Sequence, residues 1–255
     1  MTRTDLLHYA CALIAWFLTT VHIYLVNGIA DGVNDRINEV GRPLSRGELD
    51  PADAVRVAKG IAVVALALGL VVSPLMFGLV LAFLALGYAY SVPPLRLSRN
   101  WAGSSVVVTL GGLCTYLAGA VAVGAPFTPD LIVFSVVMSL WMGLVGAVVK
   151  DFSDVDGDRA AQRRVLTLQV REMRLRTWVS IVVAIVAAGL AIAAYRLPDL
   201  TYPCVAMLFG AGMVIGATLT TRYRDPRPVS RRPYRAFMVT QMAANVGAML
   251  SGVPV

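Results

Sequence analysis

The chain has 255 residues, is 58% hydrophobic, carries a net charge of +7 and has a mean hydropathy of +0.72. Those values exclude an ordinary soluble domain and describe a polytopic membrane protein. The positive balance does not indicate nucleic acid, because the basic residues gather in alternate loops and form no continuous face.

A spanning helix needs roughly 20 apolar residues, and about eight such segments follow one another along the chain. They fall near 6–27, 54–73, 75–92, 102–124, 129–150, 177–196, 200–220 and 234–253. Short loops join them, so residues 1–255 read as a single all-α domain, a membrane helical bundle with no soluble extension. The first segment is too long for a signal-peptide core and lacks a small-x-small cleavage site, so it reads as a retained helix. Cys11, Cys114 and Cys204 lie within or beside spans and serve as small apolar fillers, with no disulfide expected.

The loops alternate in charge. Arg36, Arg42 and Arg46 follow the first segment, and Arg96 and Arg99 the third. Arg159, Arg163, Arg164, Arg171, Arg174 and Arg176 follow the fifth. Arg222, Arg224, Arg227, Arg231, Arg232 and Arg235 lie between the last two. The intervening loops hold only Arg196. Positive-inside bias then places the arginine-rich loops in the cytoplasm and both termini outside, with Arg3 on the exterior tail as the exception.

Acidic residues are scarce: none occurs between Asp53 and Asp130. Yet Asn27, Asp31 and Asp35 end the first span, and Asp151, Asp154, Asp156 and Asp158 end the fifth. Asn27, Asp31 and Asp35 step by four and stay within about 80° on one helical face. Carboxylate and amide oxygens are hard donors suited to Mg²⁺, which prefers a few carboxylates plus substrate phosphates. The plain alternative is a solvated helix end, with Asp31-Gly32 marking a turn. In the second cluster a continuing helix would put Asp151, Asp154 and Asp158 within about 60°, with Asp156 some 140° away. Asp154 to Asp158 is not an EF-hand loop, since Gly157 comes too early and no Glu closes it before Glu172. Six carboxylates at two membrane edges point to divalent cations holding a diphosphate.

Together these runs resemble the UbiA-type membrane prenyltransferase superfamily. Asn27, Asp31 and Asp35 match its Asn-x3-Asp-x3-Asp, and Asp154 and Asp158 match its Asp-x3-Asp. The stretch 150–159, Lys-Asp-x-x-Asp-x-Asp-Gly-Asp-Arg, is similar to the homogentisate and chlorophyll branch. Arg42-Pro43-Leu44 with Gly47, and Tyr90-Ser91-Val92-Pro93-Pro94-Leu95-Arg96-Leu97, also fit that pattern. CDP-alcohol phosphotransferases share the Asp31-Gly32 start, but Asp35 replaces their Ala and their later aspartates are missing. Three features depart from the superfamily. It usually has nine helices, with one before the helix that ends in the first motif; here the motif helix begins almost at Met1, so either that helix is absent or the start lies too late. Gln162 takes the place of a usual Gly, with Thr167-Leu168 a little late. The residues that choose an acceptor are too weakly patterned to assign.

The resemblance implies transfer of a prenyl group from an isoprenoid diphosphate to an aromatic or quinone-precursor acceptor, in the cell membrane. Asn27, Asp31 and Asp35 would hold one Mg²⁺, and Asp154 and Asp158 the other, with Asp151 as a helper. Arg42, Arg96 and Lys150 would steady the diphosphate. Tyr88, Tyr90, Tyr116 and Trp141 are possible walls for an allylic cation, although aromatic residues in spans also serve simple packing. His22 is expected to be satisfied by a hydrogen bond inside the bundle, and His8 to lie at the interface. A terpene cyclase on the same scaffold, needing no acceptor, is the alternative. A transporter is disfavoured, because the acids sit at span ends and not along span middles.

Overall fold

The computed structural model describes residues 3–32, 41 and 43–253. Among these residues the chain is helical with no strand, and a lone backbone bridge joins Asn100 and Arg164. Asp35, Arg36 and Arg42 lie outside the described residues. The chain divides into two compact units, the first being Met1–Ser98 with Cys114–Ala125 and the second Arg99–Leu113 with Pro126–Val255.

In the first unit, α1 (Arg3–Ala30) packs against α2 (Pro51–Val72) and α3 (Pro74–Ser91). Asp50 caps α2 by accepting from the Ala52 and Asp53 amides, with Pro51 at the first helical position. Ser73 both ends α2 and caps α3, its hydroxyl accepting from the Met76 amide at 3.0 Å. A single residue thus turns the chain back on itself. Ala12, Ala15, Ala65, Met76, Leu79, Val80, Leu84 and Ala118 form the core. Small residues allow this closeness, since apolar lipid gives helices no hydrophobic reason to associate and packing must do so. Gly87 shows the constraint: any Cβ there would run into the Ile23 side chain of α1. His22 donates from Nδ1 to the Ala58 carbonyl of α2 at 2.8 Å, as expected of a satisfied bundle histidine.

The helix α4 (Trp101–Ala122) runs through the division of the chain. In the second unit, α5 (Pro129–Leu140) continues through a π-helical turn, Trp141–Gly146, into α6 (Ala147–Lys150). Short helices α7 (Val155–Ala160) and α8 (Leu166–Gln169) precede the long α9 (Glu172–Arg196) and α10 (Thr201–Thr220). After α11 (Arg227–Ser230), α12 (Arg232–Leu250) packs along α10, where Gly210 faces Thr240 without room for a Cβ.

Every expected span is helical, with two differences at the boundaries. Helix α9 begins at Glu172, five residues before the apolar run expected at 177, because its first turns carry Arg174 and Arg176. Among the described residues seven helices are long and apolar enough to cross a membrane. The eighth, α12, forms where expected, but Arg232, Arg235, Gln241 and Asn245 dilute its apolar character. Large apolar side chains such as Phe209 and Ile192 lie exposed on the bundle, as suits a lipid-facing surface. The cysteines are free.

Candidate active site

In the first unit the acidic end is a regular helix. The Asp31 amide donates to the Asn27 carbonyl at 2.9 Å, so the two side chains lie one turn apart on one face. Asn27 Nδ2 donates to Asp31 Oδ2 at 3.1 Å and reaches the buried Ser91 hydroxyl, at the end of α3, at 3.5 Å. Beyond α3, Arg96 adopts a left-handed backbone with φ of 39° and folds back. Its Nη2 lies 3.4 Å from the Ala30 carbonyl, and its Nε lies 3.4 Å from the Ser91 carbonyl. A cation is favoured there, since the C-terminal carbonyls of α1 carry partial negative charge. The sequence motif containing Ser91 and Arg96 therefore arrives beside Asn27 and Asp31.

The loop that follows closes on itself. Glu48 and Gly47 amides donate to the Pro43 and Leu44 carbonyls, and Gly47 has a φ of 74°, a region that favours glycine. Arg46 is engaged inside this loop, donating through Nε and Nη2 to both Glu48 oxygens at 2.7 Å and through Nη1 to the Gly41 carbonyl. That hydrogen-bonded guanidinium holds the Glu48 carboxyl below its ordinary range.

In the second unit the acidic end is a broken helix. The α6 helix stops at Lys150, and Asp151–Ser153 forms one tighter turn. Asp154 leaves helical geometry at φ −117° and ψ 12°, then α7 begins. The condition of a continuing helix through Asp158 is therefore not met: the helix breaks at Asp154. The inward set still includes the three acids expected to share a face. Side-chain exposure is 13% for Asp151, 21% for Asp154 and 1% for Asp158, against 87% for Asp156. The break turns Asp154 inward, and α7 then presents Asp158 one turn later, its amide bonded to the Asp154 carbonyl at 2.9 Å.

Each inward acid has a cation beside it. Lys150 Nζ lies 4.0 Å from Asp151, Arg163 Nη1 lies 3.4 Å from Asp158, and Arg227 Nη2 lies 3.1 Å from Asp154. The Ser153 hydroxyl also donates to Asp154 at 3.0 Å. Arg163 is brought back by the turn after α7. The Arg163 amide donates to the Asp158 carbonyl and the Gln162 amide to the Arg159 carbonyl, with Gln162 at a φ of 52°. This is a Schellman closure, whose left-handed residue is normally glycine. The same chain segment is pinned to the start of α4 by Arg164, bonded to Arg99 and Trp101, and by Arg99 donating to the Ala161 carbonyl.

Arg163 and Arg227 were legible in the sequence only as topology-setting arginines. Nothing in the spacing marks Arg227, which lies 73 residues from its partner. Its neighbour Tyr223 packs edge-on against the buried Phe152 with ring centroids 5.0 Å apart. The Tyr223 hydroxyl and Arg227 Nη1 are buried without a hydrogen-bond partner. Burial pushes the Tyr223 hydroxyl up from its ordinary range, and Glu172 adds to the shift.

The expected aromatic walls divide. Tyr88 is exposed, Tyr90 is half-buried, and Tyr116 is buried in the first unit. Trp141 is fully buried in the second unit, stacked on Phe237 with centroids 5.7 Å apart.

Among the described residues no group of three His, Cys, Asp or Glu side chains converges into a complete metal cage. The available oxygens nevertheless fit Mg²⁺, which keeps few protein ligands beside substrate phosphates. Asn27 with Asp31, and Asp154 with Asp158, each offer such a partial set of hard donors.

The sequence profile of the UbiA prenyltransferase family matches residues 2–240. Homogentisate phytyltransferase of a Synechocystis species is 30% identical over 165 residues, which are 62% of this chain and 54% of that protein. The chain thus spans little more than half the length of that relative. Digeranylgeranylglyceryl phosphate synthase of Halobacterium salinarum is 28% identical over 237 residues, covering 93% of this chain and 83% of that one. A solved UbiA homolog from Archaeoglobus fulgidus, bound to GPP and Mg²⁺, matches with a TM-score of 0.72 at 15% identity, covering 96% of this chain and 88% of that one. That likeness establishes a shared fold.

Proposed function

This chain belongs to the UbiA prenyltransferase family, and from that premise we propose that it is a membrane enzyme that moves a prenyl group from an isoprenoid diphosphate to a small aromatic or quinone-precursor acceptor. The observation that carries the reading is the pair Asp154 and Asp158, turned inward at the end of a span with an arginine beside each. Buried acids at a membrane edge are costly unless they bind something. The family match runs across both units, which supports one functional domain. The clustering of arginines in alternate loops supports a cell-membrane protein whose acidic motifs face the cytoplasm.

Asn27, Asp31 and Asp35 hold one Mg²⁺, and Asp154 and Asp158 the other, with Asp151 as helper. Bound Mg²⁺ neutralises the charge that develops on the diphosphate as the allylic carbon–oxygen bond ionises. Arg42, Arg96 and Lys150 orient the diphosphate, and Arg163 and Arg227 hold Asp158 and Asp154 in place. The buried Tyr223 hydroxyl and Arg227 Nη1 are further donors for phosphate oxygens. The apolar bundle keeps water from the allylic cation.

The relatives are named for homogentisate and for glyceryl phosphate, so the assay offers both kinds of acceptor. Purified protein in lipid receives Mg²⁺ and allylic diphosphates of several lengths, with and without acceptors, and products are read by mass spectrometry. An adduct that forms only with acceptor, is lost on chelation and returns with Mg²⁺ supports the proposal. A hydrocarbon or terpene alcohol formed without acceptor would replace it with a cyclase.

A further inference from the structure

A second basic feature lies in the second unit, with a lining that does not include Asp151, Asp154 or Asp158. Glu172, Met173, Arg176, Arg222 and Arg224 line an open cleft of about 460 Å³. It sits where α9 begins and α10 ends, at the edge of two membrane-spanning helices. Met173, in its lining, is an exposed apolar side chain.

Three arginines face one glutamate in this lining, and the glutamate is already shared. Glu172 Oε1 accepts from the Tyr223 amide at 3.1 Å and lies 3.9 Å from Arg176 Nη1. Asp225 is spent on the Arg222 backbone amide, at 2.7 Å. Among the described residues no carboxylate forms an ion pair with the Arg222 or Arg224 guanidinium.

Topology explains arginines that stand in water at a span end. It does not explain Arg176, which is buried one turn inside α9 and anchored through Nε to the Thr218 carbonyl at 2.7 Å. A desolvated, pre-oriented guanidinium beside two mobile-stemmed arginines suits bidentate recognition of a phosphate group. The place at the membrane edge, with Met173 for glycerol and acyl carbons, favours a lipid phosphate over a soluble one.

We propose that this cleft binds the headgroup phosphate of an anionic membrane lipid. Occupation would also steady the loop that carries Tyr223, whose ring packs on Phe152 beside Asp151. The site is independent of the prenyl-transfer reading, because its test is binding.

Protein purified into detergent is titrated with phosphatidylglycerol, phosphatidylcholine or inorganic phosphate, and bound ligand and thermal midpoint are read by native mass spectrometry and melting. Phosphatidylglycerol should bind about tenfold more tightly than phosphatidylcholine and raise the midpoint. The double variant Arg222→Gln/Arg224→Gln should lose that preference about tenfold, while Arg196→Gln, at the opposite end of α9, should keep it. Arg176→Gln disturbs an internal contact, so the surface double variant carries the decision. Competition by inorganic phosphate would show that the phosphate group alone suffices, and no competition would show that the lipid body contributes. Equal retention of both lipids, or unchanged preference in the double variant, overturns the proposal.

Discussion

The two acidic ends use the same residue types on different backbones. In the first unit Asn27 and Asp31 lie one regular turn apart at the end of α1, and spacing places them together. In the second unit the helix breaks at Asp154, and Asp151, Asp154 and Asp158 lie inward while Asp156 faces out. Around Asn27 and Asp31 the described contacts are a hydroxyl, an amide and an arginine resting on carbonyls. Around the second set each carboxylate has a full cation at 3.1 to 4.0 Å. A regular helical turn fixes the spacing of its ligands through its own backbone hydrogen bonds. A broken one needs ion pairs to hold what backbone hydrogen bonds no longer fix.

Neutralising one acid in each unit tests that difference. Asp158→Asn should abolish turnover and also destabilise the fold, by about 3 kcal/mol, because the buried Arg163 loses its ion pair at 3.4 Å. Asp31→Asn should cost about 10³-fold in kcat/KM and less stability than Asp158→Asn, since an amide oxygen still accepts from Asn27. Thermal unfolding and steady-state kinetics on both variants separate the effects. Equal loss of stability in the two would erase the distinction between a helix-held and an ion-pair-held site. Full activity in Asp31→Asn would remove that residue from the metal set.

What the sequence made legible follows the same division. Apolar runs located every long helix, because burial in lipid depends on local composition. The pairing of Asn27 with Asp31 also followed from spacing, the satisfied His22 from its place inside an apolar run, and the outward Asp156 matched helical arithmetic although the helix breaks at Asp154. The break at Asp154 was hidden, since no proline or local glycine marks it and the turn is held by tertiary contacts. Arg227 and Arg163 were hidden for another reason: topology already accounts for arginines in those loops, so their pairing leaves no separate trace. The early start of α9 was missed because a hydropathy pattern ends at charge, although Arg176 is buried within the helix.

Arg227 sharpens the comparison from the cation's side. Its pair with Asp154 is partly solvated, so Arg227→Met should cost about 1 kcal/mol of stability or less. With its buried Nη1 as the proposed donor to the diphosphate, KM for that substrate should rise about tenfold or more in Arg227→Met. Arg227→Lys should recover the charge but only part of the affinity, because an ammonium lacks the planar fork. A KM unchanged in Arg227→Met would confine this arginine to holding Asp154.

The smallest expected effect comes from the loops behind the two motifs, which close with the same pair of backbone hydrogen bonds. The first loop puts Gly47 at the left-handed position with φ 74°, and the second puts Gln162 there with φ 52°. Left-handed backbone costs a side-chain-bearing residue about 1–2 kcal/mol, partly offset by the greater freedom that glycine loses on folding. Gln162→Gly should therefore stabilise the second unit by about 0.5–1 kcal/mol, and activity should stay within about twofold. The reverse change, Gly47→Gln, should destabilise the first loop by a similar amount. Thermal melts of the two variants should move in opposite directions. A shared direction would mean that the turns differ in more than the residue at their left-handed position, and that Arg163 is held beside Asp158 by its ion pair and not by the turn.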